Sequence, residues 1–231
     1  MLRCPVCGSE NGDLAVVCHA CKAFLQSRVD VLDLFATAWG VIENPSQTFH
    51  RIALASRKTY TLPLSGLSGI SMTLLWLRMT HAGDKAADFS MFFFSGIVVG
   101  PVVGVVLVGA MSGMFAILHG RRGDLVQSFR NGFGAISYAT IPLVVMLFVV
   151  FPVELAIFGR ALFGTNPSPA LIKPEIYRVL TGIDLAGIAW FAFLFVQAAA
   201  AAFELSKLRA YVTFAALLLA TASVIGLVGG F

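Results

Sequence analysis

The chain has 231 residues, of which 58% are hydrophobic and only 12% charged, with a mean hydropathy of +0.87 and a formal net charge of +4. No water-soluble domain of this length carries such a composition without exposing large apolar patches. That excludes an ordinary soluble globular protein and points to an integral membrane protein.

The first element in chain order is a cysteine framework. Cys4-Pro5-Val6-Cys7 and Cys18-His19-Ala20-Cys21 are two C-x-x-C pairs separated by ten residues. Four thiolates complete a tetrahedral shell around Zn2+, and each short turn delivers two of them. Gly8 permits a tight backbone after the second ligand, where amides can donate to sulfur. Two disulfides are the competing reading, but they require an oxidising compartment, and no cleavable signal peptide precedes the cysteines. The spacing therefore predicts a structural zinc ribbon over residues 1–23, with Cys4, Cys7, Cys18 and Cys21 as ligands and no open position for catalysis. About twenty residues cannot bury a useful core, so the metal supplies most of the folding free energy. His19 lies between ligands and reads as a bystander rather than a substitute ligand.

Residues 24–58 read as amphipathic juxtamembrane helices. From Phe24 to Ile42 the apolar residues Leu25, Val29, Leu32, Phe35, Trp39 and Ile42 recur at steps of three and four, with Gln26, Arg28, Asp30 and Asp33 opposite. Either this stripe lies in the headgroup layer with Trp39 at the interface, or it packs on the membrane bundle as core. Asn44-Pro45-Ser46-Gln47 then marks a new helix start, with Asn44 as cap, Pro45 in the first position and Gln47 completing a capping box. Its apolar side is Phe49, Ile52 and Ala53. Arg51, Arg57 and Lys58 follow, placed either to meet anionic headgroups or simply to set topology.

Residues 59–231 contain five apolar runs long enough to cross a bilayer as helices: Thr59 to Leu77, Phe89 to Leu118, Asn131 to Phe158, Leu185 to Phe203 and Ala210 to Phe231. The second run spaces Gly96, Gly100 and Gly104 four residues apart, a close-packing seam that joins helices of one subunit or of two. Pro101 and Pro142 interrupt the hydrogen-bond ladder and can kink their helices. Tyr138, Glu154 and Gln197 are the candidate polar groups inside the membrane. Glu154 is expected to reach water at the outer boundary, Gln197 to bond across a helix interface and Asp184 to cap the fourth helix. The stretch from Arg160 to Thr181, with three prolines, reads as an outer loop or short surface helix.

With the N-terminus cytoplasmic, eight near-membrane Lys and Arg residues fall inside and five outside, as the positive-inside rule favours. The expected protein is therefore all-α, multi-pass and integral to the cytoplasmic (inner) membrane, a five-helix bundle with Phe231 on the far side.

Trp39, then Asn44-Pro45-Ser46-Gln47-Thr48-Phe49-His50-Arg51-Ile52, then Gly123-Asp124-Leu125-Val126-Gln127-Ser128-Phe129 leading into Tyr138-Ala139-Thr140-Ile141-Pro142, resembles the Yip1 domain over roughly Leu32 to Phe231. The resemblance implies a five-helix membrane domain with a cytoplasmic N-terminus. Eukaryotic members act in vesicle transport with small GTPases. Prokaryotic members often carry an N-terminal zinc ribbon and have no assigned activity, and this chain is similar to those.

Motifs for zinc proteolysis, nucleophilic acyl transfer and phosphate binding are lacking, so no enzyme is expected. The expected function is a membrane scaffold or adaptor whose ribbon and interfacial helix recruit a protein partner, with membrane lipids as the other contact and a homo-oligomer left open. No nucleic acid is expected. The alternative is a small permease or lipid-handling protein, which needs a polar path near Glu154, Gln197 and Tyr138.

Overall fold

A computed structural model describes residues 2–25, 32–86, 88–120 and 124–229. Val29 of the stripe, Gln26, Arg28 and Asp30 opposite it, and Arg121, Arg122, Gly123 and Phe231 lie outside the described residues. Apart from a two-stranded sheet near the N-terminus the chain is mostly helical. Its residues form two compact units.

The first unit comprises Met1–Thr59, Ser112–Ile136 and Phe195–Phe231. Strands β1 (Leu2–Arg3) and β2 (Glu10–Asn11) pair antiparallel, Leu2 opposite Asn11 and Arg3 opposite Glu10. A second, smaller hairpin is closed by a bridge between Val17 and Phe24 and by the Leu25 amide donating to Val16 O at 2.9 Å. Phe24 and Leu25 therefore belong to the ribbon, not to a helix. Helix α1 (Leu34–Glu43) starts only after Asp33, whose carboxylate accepts the Ala36 amide at 2.7 Å. The sequence places Asp33 on a polar face; in the structure it is the N-cap, and the extended backbone of a capping residue ends the helical stripe there. Helix α2 (Pro45–Leu54) begins at Asn44, which accepts the Gln47 amide and donates its own amide nitrogen to Gln47 Oε1 at 3.2 Å. Phe49, Ile52 and Val41 are fully buried. Phe115 lies 5.7 Å from Phe195 and 5.6 Å from Phe203 between ring centroids, and Phe195 lies 4.6 Å from Phe214.

The second unit comprises Tyr60–Met111 and Ser137–Leu194. It is built from α3 (Thr61–Met79), most of α4 (Phe89–His119), a third helical stretch, and most of α9 (Pro174–Ala202). The third stretch begins with the last residues of α5 (Leu125–Ala139), most of which belongs to the first unit, and continues through α6 (Ile141–Val145), a π-helical turn at Met146–Val150 and α7 (Phe151–Phe158). Leu74, Phe158, Leu162, Phe163 and Leu180 form its apolar core. Between Phe163 and α9 lies only the short α8 (Pro169–Ile172), and α10 (Lys207–Gly229) is the last element.

Among the described residues three helical stretches are long and apolar enough to cross a membrane: Phe89–His119, Leu125–Phe163 and Pro174–Ala202. The first expected run forms α3, 19 residues whose serines and glycines dilute its apolar character, and the fifth forms α10. The fourth starts eleven residues earlier than expected, at Pro174, and absorbs part of the supposed outer loop. Asp184 is therefore not a cap but an interior residue of α9. A charge that has an internal partner does not end a span.

Candidate functional site

The four cysteines sit on two knuckles with the same backbone. In the first, the Cys4 amide donates to Ser9 O at 2.9 Å and the Gly8 amide to Cys4 O at 3.0 Å; in the second, Cys18 donates to Ala23 O at 2.8 Å and Lys22 to Cys18 O at 3.1 Å. Gly8 and Lys22 both adopt left-handed φ values, +73° and +61°. Each knuckle contributes one buried and one exposed thiol, Cys4 with Cys7 and Cys18 with Cys21.

All four sulfur atoms lie within 4.8 Å of one another, and the Cys4–Cys21 and Cys7–Cys18 pairs are 3.6 Å apart. Tetrahedral coordination with metal–sulfur bonds of about 2.3 Å requires sulfur atoms roughly 3.8 Å apart, so the donor set fits a single metal ion. A disulfide needs sulfurs about 2.05 Å apart, and all four cysteines are free.

The surroundings favour thiolate at Cys7 and Cys18. The Ser9 hydroxyl lies 3.1 Å from Cys7 Sγ and 3.0 Å from Cys18 Sγ, and Asn11 donates Nδ2 to Cys18 Sγ at 3.6 Å. The Ser9 hydroxyl and then the Cys21 amide hold the Cys18 thiol down at about 5, and the Ser9 hydroxyl and amide lower Cys7. At Cys21 the Ala23 amide pulls down, but Cys7, burial and the other two thiols outweigh it and push the group up to about 12. Four thiols this close cannot all ionise alone; a bound dication displaces the last protons, so metal affinity rises with pH. His19 is not a ligand: Asn11 Oδ1 accepts its backbone amide at 3.1 Å and holds its Nδ1 at 3.0 Å.

Sequence reasoning missed Ser9, Asn11 and Lys22. The signal for Lys22 was available, because it follows the second cysteine of its pair as Gly8 does.

On α1, Phe35 is 84% and Trp39 63% exposed, while Val41 and Thr37 face inward, so the Phe35–Trp39 side is not core. Arg51 and Arg57 are exposed. Lys58 instead turns inward. Its ammonium donates to Ala55 O at 2.9 Å and Asn131 Oδ1 at 3.1 Å, and its stem fills the space left by Gly134. The carbonyl end of α2 and Asn131 accept the hydrogen bonds of the inward-turned ammonium.

Gly100 and Gly104 of α4 pack against α3 within the second unit. A methyl group on Gly104 would overlap Ser65 O, one on Gly69 would overlap Gly100 O, and one on Gly100 would lie 2.6 Å from Ile70 Cα. Gly96 faces Leu74 and Leu77, whereas Gly109 and Gly113 have open space. The seam thus joins two helices of one chain, with Gly69 as its unrecognised partner.

Glu154 does not reach water. It is 2% exposed and paired with Arg78 Nη1 at 2.7 Å; the same nitrogen donates to Asp184 Oδ2 at 2.7 Å. Arg78, which directly follows the first apolar run, lies over the Tyr177 ring at 5.5 Å. Tyr138 is buried sixteen residues before Glu154 in the same helical stretch. Gln197 is buried in the first unit.

No curated protein and no solved structure is significantly similar to this chain. The Yip1 domain family model matches residues 39–229, more than four fifths of the sequence. With that share of its length matched, the chain belongs to the Yip1 domain family.

Proposed function

We propose that this chain is a non-catalytic membrane scaffold whose N-terminal ribbon, folded by structural zinc, recruits a protein partner at the membrane surface. The observation that carries the reading is the closed four-sulfur cluster: it folds a headpiece and leaves no coordination position for substrate. Membership in a non-enzymatic membrane family supports it. In this reading the ribbon covers residues 1–23 and extends through Phe24 and Leu25, the juxtamembrane segment follows up to residue 58, and residues 59–231 are a five-helix bundle in which α3 and α10 are the remaining crossings. The ribbon is cytoplasmic, the bundle sits in the inner membrane, and the C-terminus lies on the opposite side. The exposed Phe35–Trp39 side of α1 rests in the headgroup layer, with Arg51 and Arg57 beside anionic lipid.

Cross-linking in native membranes followed by partner identification tests this, with the wild type beside a Cys4→Ser/Cys7→Ser variant. A partner captured by the wild type and lost from the variant is the expected result. Equal capture by both proteins removes the ribbon from recruitment.

A further inference from the structure

The ion cluster of the second unit has an unbalanced charge. One guanidinium, Arg78, faces two carboxylates, Glu154 and Asp184, through the same nitrogen at 2.7 Å each, while its other nitrogen donates to the Thr181 hydroxyl at 3.2 Å. The side chains of Glu154 and Asp184 are 3% and 9% exposed and that of Arg78 12%. From α3 the cluster is faced by Ser71 and Arg78, from the third helical stretch by Met146, Leu147, Phe151 and Glu154, and from α9 by Tyr177, Thr181 and Asp184. Among the described residues no second cation is among them.

A cavity of about 30 Å³ adjoins the three charged side chains and Ser71 and reaches the π-helical turn at Met146. That is room for a water-sized occupant with polar partners. Two ionised carboxylates sharing one guanidinium leave a net negative charge out of water, which is costly unless it is compensated. Both oxygens lie 2.7 Å from one nitrogen, so the two carboxylates meet at a common positive charge.

We propose that the Arg78–Glu154–Asp184 cluster is a binding site for one small monovalent cation, either a proton held by one of the two carboxylates or a sodium ion in the adjoining cavity. In the proton case water supplies H+, which forms an O–H bond on one carboxylate, and the site becomes neutral. In the sodium case both carboxylates stay ionised and contribute oxygens to the ion. Either occupant ties α3, α7 and α9 together, so occupancy sets how tightly these helices pack. This goes beyond the scaffold reading and does not depend on it.

The test uses the full chain in lipid nanodiscs, as wild type, Glu154→Gln and Asp184→Asn, by infrared difference spectroscopy and thermal unfolding in sodium chloride and in choline chloride. Each variant leaves one carboxylate for one guanidinium and so removes the need for a cation. A deuterium-sensitive protonated-carboxyl band in the wild type at neutral pH, lost in both variants, identifies the proton. Without that band, a rise in unfolding temperature with sodium in the wild type alone identifies sodium. Neither signal in the wild type overturns the proposal and leaves a purely structural ion pair, which would produce neither. If one variant fails to fold, the other carries the comparison.

Discussion

Lys22 occupies a backbone conformation for which its own knuckle would prefer glycine. The left-handed region costs an ordinary residue about 1–2 kcal/mol, while glycine loses about 0.5–1 kcal/mol in chain entropy. Lys22→Gly is therefore expected to stabilise the ribbon by about 0.5–1 kcal/mol, read as roughly two- to fivefold tighter zinc binding in a competition titration, since metal binding and folding are one event here. Lys58 gives a prediction of opposite kind. Burial first, and the nearby Arg130 guanidinium second, push its ammonium down to about 8 from 10.5. Between those values the unfolded chain holds a proton that the folded chain has released, so stability rises with pH across that window. Below it both states are charged and the burial penalty is present in full. Thermal unfolding of the wild type should move upward between about pH 8 and 10.5, and Lys58→Gln should lack that increment.

At the level of elements, the contact between α3 and α4 depends on backbone approaching backbone. Gly100→Ala or Gly104→Ala forces the helices apart and should cost about 1–3 kcal/mol, whereas Gly109→Ala, which meets open space, should be neutral. Size-exclusion profiles after graded heating separate the two outcomes. The glycine spacing was visible in the sequence, but its partner Gly69 was not, because the pairing of helices is a tertiary fact. The cap at Asn44 and the cysteine spacing were legible for the converse reason: each is settled by neighbours a few residues away. Two boundaries were misread. Phe24 continues the apolar stripe of α1 by spacing, yet its pairing with Val17 holds it in the ribbon. Asp184 looked like a helix end because an isolated charge is costly in hydrocarbon, but Arg78, distant in sequence, changes that cost.

For the whole molecule, the ribbon and the helices draw stability from different sources. Chelation should abolish amide-exchange protection across residues 2–25 and leave the helical circular dichroism signal in place, because apolar helices in lipid need no metal to satisfy their backbones. Loss of both signals together would mean that the ribbon holds the helices in place. Helix α4 raises a separate matter of length. It runs through 31 residues without an Asp, Glu, Lys or Arg, about 46 Å of greasy rod, whereas the hydrocarbon slab is about 30 Å deep. Such a rod is oversize for the layer it enters, so it must lean, bend at Pro101 or stretch the surrounding acyl chains. A thick, ordered bilayer relieves that mismatch, which makes lipid chain length a determinant of where in a cell's membranes this protein resides most comfortably.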